Sequence, residues 1–402
     1  MSKETMNETF ELVDGQSKRA VIRVIGVGGG GCNTVNQMAQ ADIQGVEFIC
    51  ANTDRDHLEK CLPVMQLQIG AAVTRGLGAG SDPKVGREAA EEDQDRIREM
   101  LEDTDLLFVT AGMGGGTGTG AAPVIAQIAQ ELGILTVAVV TKPFPHEGKK
   151  RMRIALDGIK ELQQRVDSLI VIPNEKLRLV LGGSVTLLSG FKAANDVLQN
   201  AVQGISDLIT RPGMMNVDFA DVRTVMSNRG MAMMGLGAAQ GEDRAERAVE
   251  AALASPLLDD LELAGARGIL VNITCDDSLT LDELERVNTR INEIASAEAD
   301  TKFGTSFDPS LNGELRVTVV ATGLDGQRGV QVAAQPEVAV PAATMGGLHP
   351  LVTHLRPSSL TDARPAVETP MPRRMPMMRG NSALAIDEEI LDIPAFLREQ
   401  AD

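Results

Sequence analysis

The sequence predicts an α/β protein: a doubly wound parallel sheet, then a long central helix, then a second α+β domain. Three observations predict it. Between residues 20 and 172, short β-branched runs alternate with helical stretches, the pattern of strands joined by crossover helices. Those runs are continuously apolar rather than alternating, as in strands covered on both faces. From Leu187 to Ile209 the chain then keeps one helical period without a break.

The strands are expected at 21–26, 46–51, 64–69, 105–110, 134–141 and 168–172, with helices near 32–41, 83–101, 118–132 and 149–165. In the long helix, Leu188, Phe191, Val197 or Leu198, Val202, Ile205 and Ile209 recur at helical spacing, and apolar residues extend well round it. This is the mark of a helix buried between two domains. At ~1.5 Å per residue it is ~35 Å long, and Arg211-Pro212-Gly213 stops it. Further strands are expected at 230–238, 268–275 and 314–322, and helices at 242–254 and 281–297. Beyond them, eight of the 18 prolines fall between Pro336 and Pro376 and no hydrophobic period survives, which describes a disordered linker. The expected organisation is a flexible extension 1–19, a first domain 20–185, the central helix 186–211, an α+β domain 212–325, the linker 326–384 and a short helical peptide 385–402.

Composition narrows the function. With 43% apolar residues, 2% aromatics, no Trp and no Tyr, the core must be Val, Ile, Leu, Ala and Met. A net charge of −18 argues against nucleic acid as a partner and against docking on anionic lipid. The N-terminus is polar and acidic, unlike a signal peptide, and no apolar run approaches the ~18–20 residues of a membrane span. Any membrane association must therefore go through a partner. The four cysteines, Cys32, Cys50, Cys61 and Cys275, form no C-x-x-C pair and have no His at ligand spacing. They read as free thiols in a reducing compartment, and no side-chain metal site is expected.

Two glycine clusters carry chemistry. Gly26-Val27-Gly28-Gly29-Gly30-Gly31-Cys32-Asn33 follows the first strand and opens a helix. Glycines allow close backbone approach, and a helix N-terminus offers free amides and partial positive charge to phosphate. The segment contains G-x-G-x-x-G, which by itself leaves a nucleotide loop and a structural turn both open. Gly112-Met113-Gly114-Gly115-Gly116-Thr117-Gly118-Thr119-Gly120 follows the fourth strand and opens another helix. Two such loops at the carboxyl ends of parallel strands can face each other and wrap a triphosphate. A dinucleotide-binding dehydrogenase needs one loop and an acid at the end of the second strand. That end reads Ala51-Asn52-Thr53-Asp54, a poor fit. No P-loop lysine motif is present, so phosphate binding rests on backbone amides and Mg²⁺.

The string from Ala111 to Gly120 resembles the phosphate-loop signature of the tubulin/FtsZ GTPase family, in length, glycine register and threonines. The resemblance runs from about Ala20 to Gly323 and resumes at the C-terminus. It implies a cytoplasmic, self-assembling GTPase with GTP and Mg as ligands. By residue, it implies nucleotide contacts at Gly29, Gly30, Gly31, Cys32 and Asn33, and at Gly115, Gly116, Thr117, Gly118 and Thr119. Glu147 and Arg151 resemble the pair that holds ribose and phosphates. Phe191, Asn195 and Asp196 resemble base-contacting positions, although spacing alone makes Phe191 a core residue. Asn52-Thr53-Asp54 and Gly76–Gly80 resemble loops near the phosphates and read equally as strand-end turns. Cys32 departs from the Gly or Ala of many relatives.

The glycine loops supply no carboxylate to orient an attacking water. Asn216, Asp218 and Asp221 lie just after the long helix, and Asp218 and Asp221 share a face if Asp218 opens a helix. Spacing alone favours helix capping. The resemblance implies instead a catalytic loop that acts on the nucleotide of the next subunit in a head-to-tail filament. At the C-terminus, Asp392, Ile393, Pro394, Phe396, Leu397 and Arg398 resemble the tail peptide of the FtsZ branch. That tail implies membrane-tethered and regulatory division proteins as partners, and a place at the mid-cell division ring. Glu399 stands where many relatives carry a basic residue.

Overall fold

Alternate residues of the first strands face opposite ways, and both sides are buried. In β1 (Ile22–Val27), Ile22 and Val24 join one core while Ile25 and Val27 join the other. The same division runs through β4 (Leu106–Gly112) and β5 (Leu135–Lys142): Phe108, Val137 and Val139 face one way, Val109, Ala138 and Val140 the other. Such strands cannot stand at a solvated face, so helices must cover both. The computed structural model describes residues 20–41, 43–62, 64–181, 186–211, 213–215, 217–258 and 265–324. The expected extension 1–19, linker 326–384 and peptide 385–402, with Asp392 to Arg398, lie outside the described residues, as do Pro212 and Asn216.

β2 (Val46–Asn52), β3 (Met65–Gln68), β6 (Ser168–Pro173), β7 (Gly230–Gln240), β8 (Gly268–Cys275), β9 (Asp300–Phe307) and β10 (Glu314–Leu324) complete one 10-stranded sheet in the order β3-β2-β1-β4-β5-β6-β7-β10-β8-β9. Pairing is parallel from β3 to β7, antiparallel at β7/β10 and β10/β8, and parallel at β8/β9. The first six strands and the later α+β segment thus share a sheet, joined where Ser168 of β6 lies opposite Gly230 of β7. A separate core of Ala248, Ile269, Val287, Val317 and their neighbours fills the far end.

Among the described residues the α-helices are α1 (Gly28–Gln40), α2 (Arg55–Glu59), α3 (Ala71–Thr74), α4 (Pro83–Glu92), α5 (Gln94–Leu101), α6 (Thr117–Glu131), α7 (Lys149–Gln163), α8 (Asn174–Leu181), α9 (Leu187–Thr210), α10 (Phe219–Met226), α11 (Arg244–Leu253) and α12 (Leu281–Ile294). Three expectations are corrected. The first helix starts at Gly28, not 32: Gly28 has φ 70, which turns the chain from strand into helix at once. The single helix expected over 83–101 is two, because Asp93 leaves helical geometry to accept the Gly70 amide (2.7 Å) and pair with Arg96 (2.8 Å). β9 was not expected, since its sequence is polar and holds Gly304. That glycine leaves room for Leu208 and Val217, the nearer of which would lie 2.4 Å from a Cβ.

The long helix α9 spans 24 residues and packs Ala194, Leu198, Val202, Ile205 and Leu208 on the sheet. Its apolar stripe is not wholly buried: Leu188 is 81% and Phe191 39% exposed. The stripe behaves as core from Ala194 onward; Phe191 does not.

Candidate active site

β1 and β4 end side by side, and each feeds a helix directly. Gly30 and Gly112 nearly touch there, since a Cβ on Gly30 would lie 3.3 Å from the Gly112 backbone. The first-turn amides of α1 and α6 therefore open on one space, free of intrahelical partners. That space is a cleft of about 260 Å³ whose lining includes Gly28, Gly29, Gly30, Thr34, Gly80, Gly115, Gly116, Thr117 and Gly118. Its far wall is built from Pro143, Glu147, Arg151, Asn174, Phe191 and Asn195. A second cleft, of about 410 Å³, lies between the lower half of α9 and β7, β8 and β10; it has no glycine loop and no helix N-terminus in its lining.

The second glycine loop is tied down from three sides. Gly114, with φ 102, donates its amide to Thr119 Oγ1 (2.8 Å), Gly116 donates to Gly80 O (3.1 Å), and Thr117 and Thr53 share a hydroxyl bond of 2.6 Å. The glycines do different jobs. A Cβ on Gly116 would strike Gly80 O at 2.6 Å and one on Gly118 would meet Gly112 O at 2.9 Å, so both are packing glycines. A Cβ on Gly115 would meet nothing within 4 Å, and it borders the cleft.

On the far wall, Glu147 accepts the Phe144 amide (2.7 Å) and pairs with Arg151 (3.2 Å). Arg151 is half exposed, one turn into the site from Glu147 on the start of α7. Phe191 meets Phe144 edge-on, with centroids 5.3 Å apart. Thr34 Oγ1 donates to Asn195 Oδ1 (3.0 Å), which joins α1 to α9 across the cleft. Asn174 is buried and its Oδ1 has no partner. A buried acceptor left open at a cleft suits a ligand that donates.

Not every residue singled out from the sequence borders the cleft. Gly31, Cys32, Asn33, Thr119 and Asp196 do not. Successive helical residues fan out by about 100°, so a run such as Gly29 to Asn33 cannot all face one way. Gly31 packs on Thr110 O, Asn33 is exposed, Thr119 braces Gly114 and Asp196 accepts from Gln37. Asn52 and Asp54 serve local turns: Asn52 Oδ1 accepts the Thr53 amide and Asp54 caps α2. Thr34, Thr141 and Asn174 escaped sequence reading. Thr141 and Asn174 could have been found, because they stand at the carboxyl ends of β5 and β6, where such sheets bind ligands.

The cysteines are less scattered than their spacing suggests. Cys32 and Cys50 are buried and Cys61 half-buried, and their three sulfurs lie within 4.8 Å of one another behind the first glycine loop. Contact with Cys50 pushes the Cys32 thiol well up, while the Cys32 hydrogen bond holds Cys61 down at about 6.

Asp218 caps α10, accepting the Asp221 amide at 2.7 Å, as spacing alone suggested. The Asp221 carboxylate pairs with Lys302 (3.0 Å). Both aspartates sit past the end of α9, whereas the cleft touches only its first half. Between the cleft residue Leu198 and Thr210, α9 advances about 18 Å.

Comparison with known proteins places the chain in a family. The profile described as Tubulin/FtsZ family, GTPase domain, matches residues 21–182, and that of the FtsZ family, C-terminal domain, matches 230–325. The cell division protein FtsZ of Pseudomonas putida is 54% identical, over 98% of this chain and 100% of its own. That of Coxiella burnetii is 54% identical, over 97% and 98%. A solved FtsZ dimer from M. jannaschii, empty, is 44% identical with a TM-score of 0.74, covering 77% of this chain and 90% of that one. Glycine loops, sheet order and near full-length identity converge: the chain belongs to the FtsZ family of cell-division GTPases, within the wider tubulin/FtsZ family.

Proposed function

We propose that this GTPase assembles head to tail and hydrolyses GTP at the junctions, each subunit supplying carboxylates to its neighbour's nucleotide. GTP occupies the glycine-lined cleft. Its phosphates rest on amides at the N-terminal ends of α1 and α6, at Gly29, Gly30, Gly115, Thr117 and Gly118, with Gly31, Gly116 and Thr119 holding the loops in shape. Glu147 and Arg151 hold ribose and phosphate, and guanine lies toward Phe191 and Asn195, with Asn33 and Asp196 behind. Mg²⁺ is carried mainly by the phosphates, since the carboxylate bordering the cleft, Glu147, is already engaged by Arg151 and the Phe144 amide.

One observation carries this reading: the cleft and the Asp218/Asp221 turn stand at opposite ends of α9. Within one chain they cannot meet, and a head-to-tail contact is the arrangement that brings them together and propagates. Asp218, Asp221 and Asn216 then orient water on the partner's γ-phosphate, as a partner completes other GTPase sites in trans. The FtsZ relative from M. jannaschii, solved as a dimer, supports self-association.

The test is complementation. A Gly115→Val chain binds GTP poorly but keeps its carboxylates; an Asp221→Ala chain binds GTP but hydrolyses it poorly. Mixing them restores part of the phosphate release, and the specific activity of the unmutated chain rises from near zero with concentration. Flat specific activity down to monomer concentrations overturns the shared site.

The C-terminal peptide with Asp392, Ile393, Pro394, Phe396, Leu397 and Arg398 is the attachment point for membrane-tethered and regulatory division proteins, which place this cytoplasmic filament at the mid-cell ring. No helix among the described residues is long and apolar enough to cross a membrane. Deleting residues 387–402 is expected to spare sedimentation with GTP and to abolish partner recruitment.

A further inference from the structure

Cys32, Cys50 and Cys61 come from three elements: the second turn of α1, the middle of β2 and the turn after α2. Their sequence spacing has no motif, yet the fold brings all three sulfurs within 4.8 Å of one another. As thiols they are poorly served. Cys32 Sγ reaches Gly26 O at 3.5 Å and Ala51 O at 3.7 Å, Cys50 Sγ reaches Cys32 O at 3.9 Å, and Cys61 Sγ reaches His57 O at 3.5 Å. These are weak S–H contacts to carbonyls, and beside them the sulfurs have chiefly one another.

From this geometry we propose that Cys32, Cys50 and Cys61 form a three-thiolate site for a thiophilic d¹⁰ cation, Zn²⁺ in the first place. Zinc holds thiolate at about 2.3 Å, which sets ligating sulfurs about 3.8 Å apart in a tetrahedral site. The observed triangle closes on such an ion with small side-chain movements. Each ligating thiol releases its proton to solvent, and the three thiolates leave one position for water or an added ligand. Cys61, half-buried, is the way in; Cys32 and Cys50 are the floor. Thiolate donors select this metal class over Mg²⁺, so the site does not compete for the ion that accompanies GTP.

Position gives the site a consequence. Cys32 is one residue beyond Gly31 on the helix whose first turn borders the nucleotide cleft. Cys50 leads into Thr53, which bonds Thr117 of the second loop at 2.6 Å. His57, one turn before Cys61, lies beside Gly29: a Cβ there would be 3.5 Å from its ring. An ion on the three sulfurs thus joins α1, β2 and α2 into one cleft wall.

The test uses the full-length, reduced, chelator-treated protein and Co²⁺ as an optical probe. One equivalent of Co²⁺ is expected to produce the near-ultraviolet thiolate-to-cobalt charge-transfer band, and Zn²⁺ should displace it. Cys275→Ser, remote from the cluster in sequence and outside it in the fold, should bind as the unmutated protein does. Cys61→Ser and Cys50→Ala should each weaken Co²⁺ at least about 100-fold, beyond what loss of an outer-shell contact does. Cys61 is half-buried, so its serine variant tests the site even if Cys50→Ala disturbs the core. Absence of the band in the unmutated chain, or its persistence in Cys61→Ser, overturns the proposal and leaves three packed thiols.

Discussion

The glycine-lined cleft and the Asp218/Asp221 turn are both made where a helix begins, but the chain completes them to different degrees. In the cleft, two helix N-termini face each other and a buried asparagine keeps an unpartnered oxygen. The walls are braced by bonds that leave the interior open, such as Gly114 to Thr119 and Gly116 to Gly80. At the turn, the polar atoms already have employment: Asp218 caps α10 and Asp221 pairs with Lys302. Among the described residues they line no cleft: Asp218 is exposed and Asp221 partly so. A preformed cavity recognises a ligand by itself, whereas exposed carboxylates need a second surface to exclude water and fix their target. The difference supports the proposal that binding takes place within one subunit and catalysis between two.

The comparison breaks first at Gly115. A valine there enters open space at the cleft rather than striking the loop, so Gly115→Val should fold normally and lower GTP affinity by more than about 1,000-fold, roughly 4 kcal/mol. Calorimetric titration with GTP checks it; unaltered affinity in a folded protein removes the triphosphate from this loop. The next effect is at the other end of α9. Asp221→Ala should leave GTP affinity within about twofold and lower kcat about 100-fold, the lower range for losing a positioned catalytic group. A matched fall in affinity would place Asp221 in binding instead.

Asn174 sharpens the contrast within the cleft. Its unpartnered oxygen predicts that Asn174→Ala weakens nucleotide about 10-fold, near 1.4 kcal/mol, the scale of one good hydrogen bond. Equal loss of stability without nucleotide would mean the amide serves the fold.

The smallest effect on activity, and a clear one on stability, is expected from Asp207, a buried carboxylate near the turn's end of α9. Burial raises its pKa to about 6, against the pull of Arg211 at 2.9 Å. The folded protein therefore holds this proton more tightly than the unfolded chain, and Asp207 costs stability as pH climbs from about 4 to 6. Asp207→Asn should raise Tm by several degrees at pH 7.5, up to about 3 kcal/mol, and by nothing at pH 4. Thermal melts at the two values decide it. Asp218→Asn, on an exposed side chain, should show no such gain. If it does, burial is not what separates these carboxylates.

Much of this was legible in the sequence. Continuous apolar runs such as Val137 to Val140 announced strands covered on both faces, and glycines after β1 and β4 announced helix N-termini facing one space. These are local signals: period, glycine and strand end are written in neighbouring residues. The seven-turn course of α9 was likewise readable, its end at Thr210 falling one residue past Ile209 and directly before the expected stop at Arg211.

Tertiary structure decided what depends on distant partners. Spacing made Phe191 core, but it borders the cleft and meets Phe144 edge-on. β9 was hidden, since its polar residues become a strand only where β8 offers a ladder. Gly115 and Gly116 are neighbours of one type, yet one faces open space and the other the Gly80 backbone, a distinction that exists only once the loops are packed. The three cysteines, 18 and 11 residues apart along the chain, became one cluster for the same reason. Sequence fixes what each residue can do locally; which atoms share a few ångströms is settled by the sheet that gathers them.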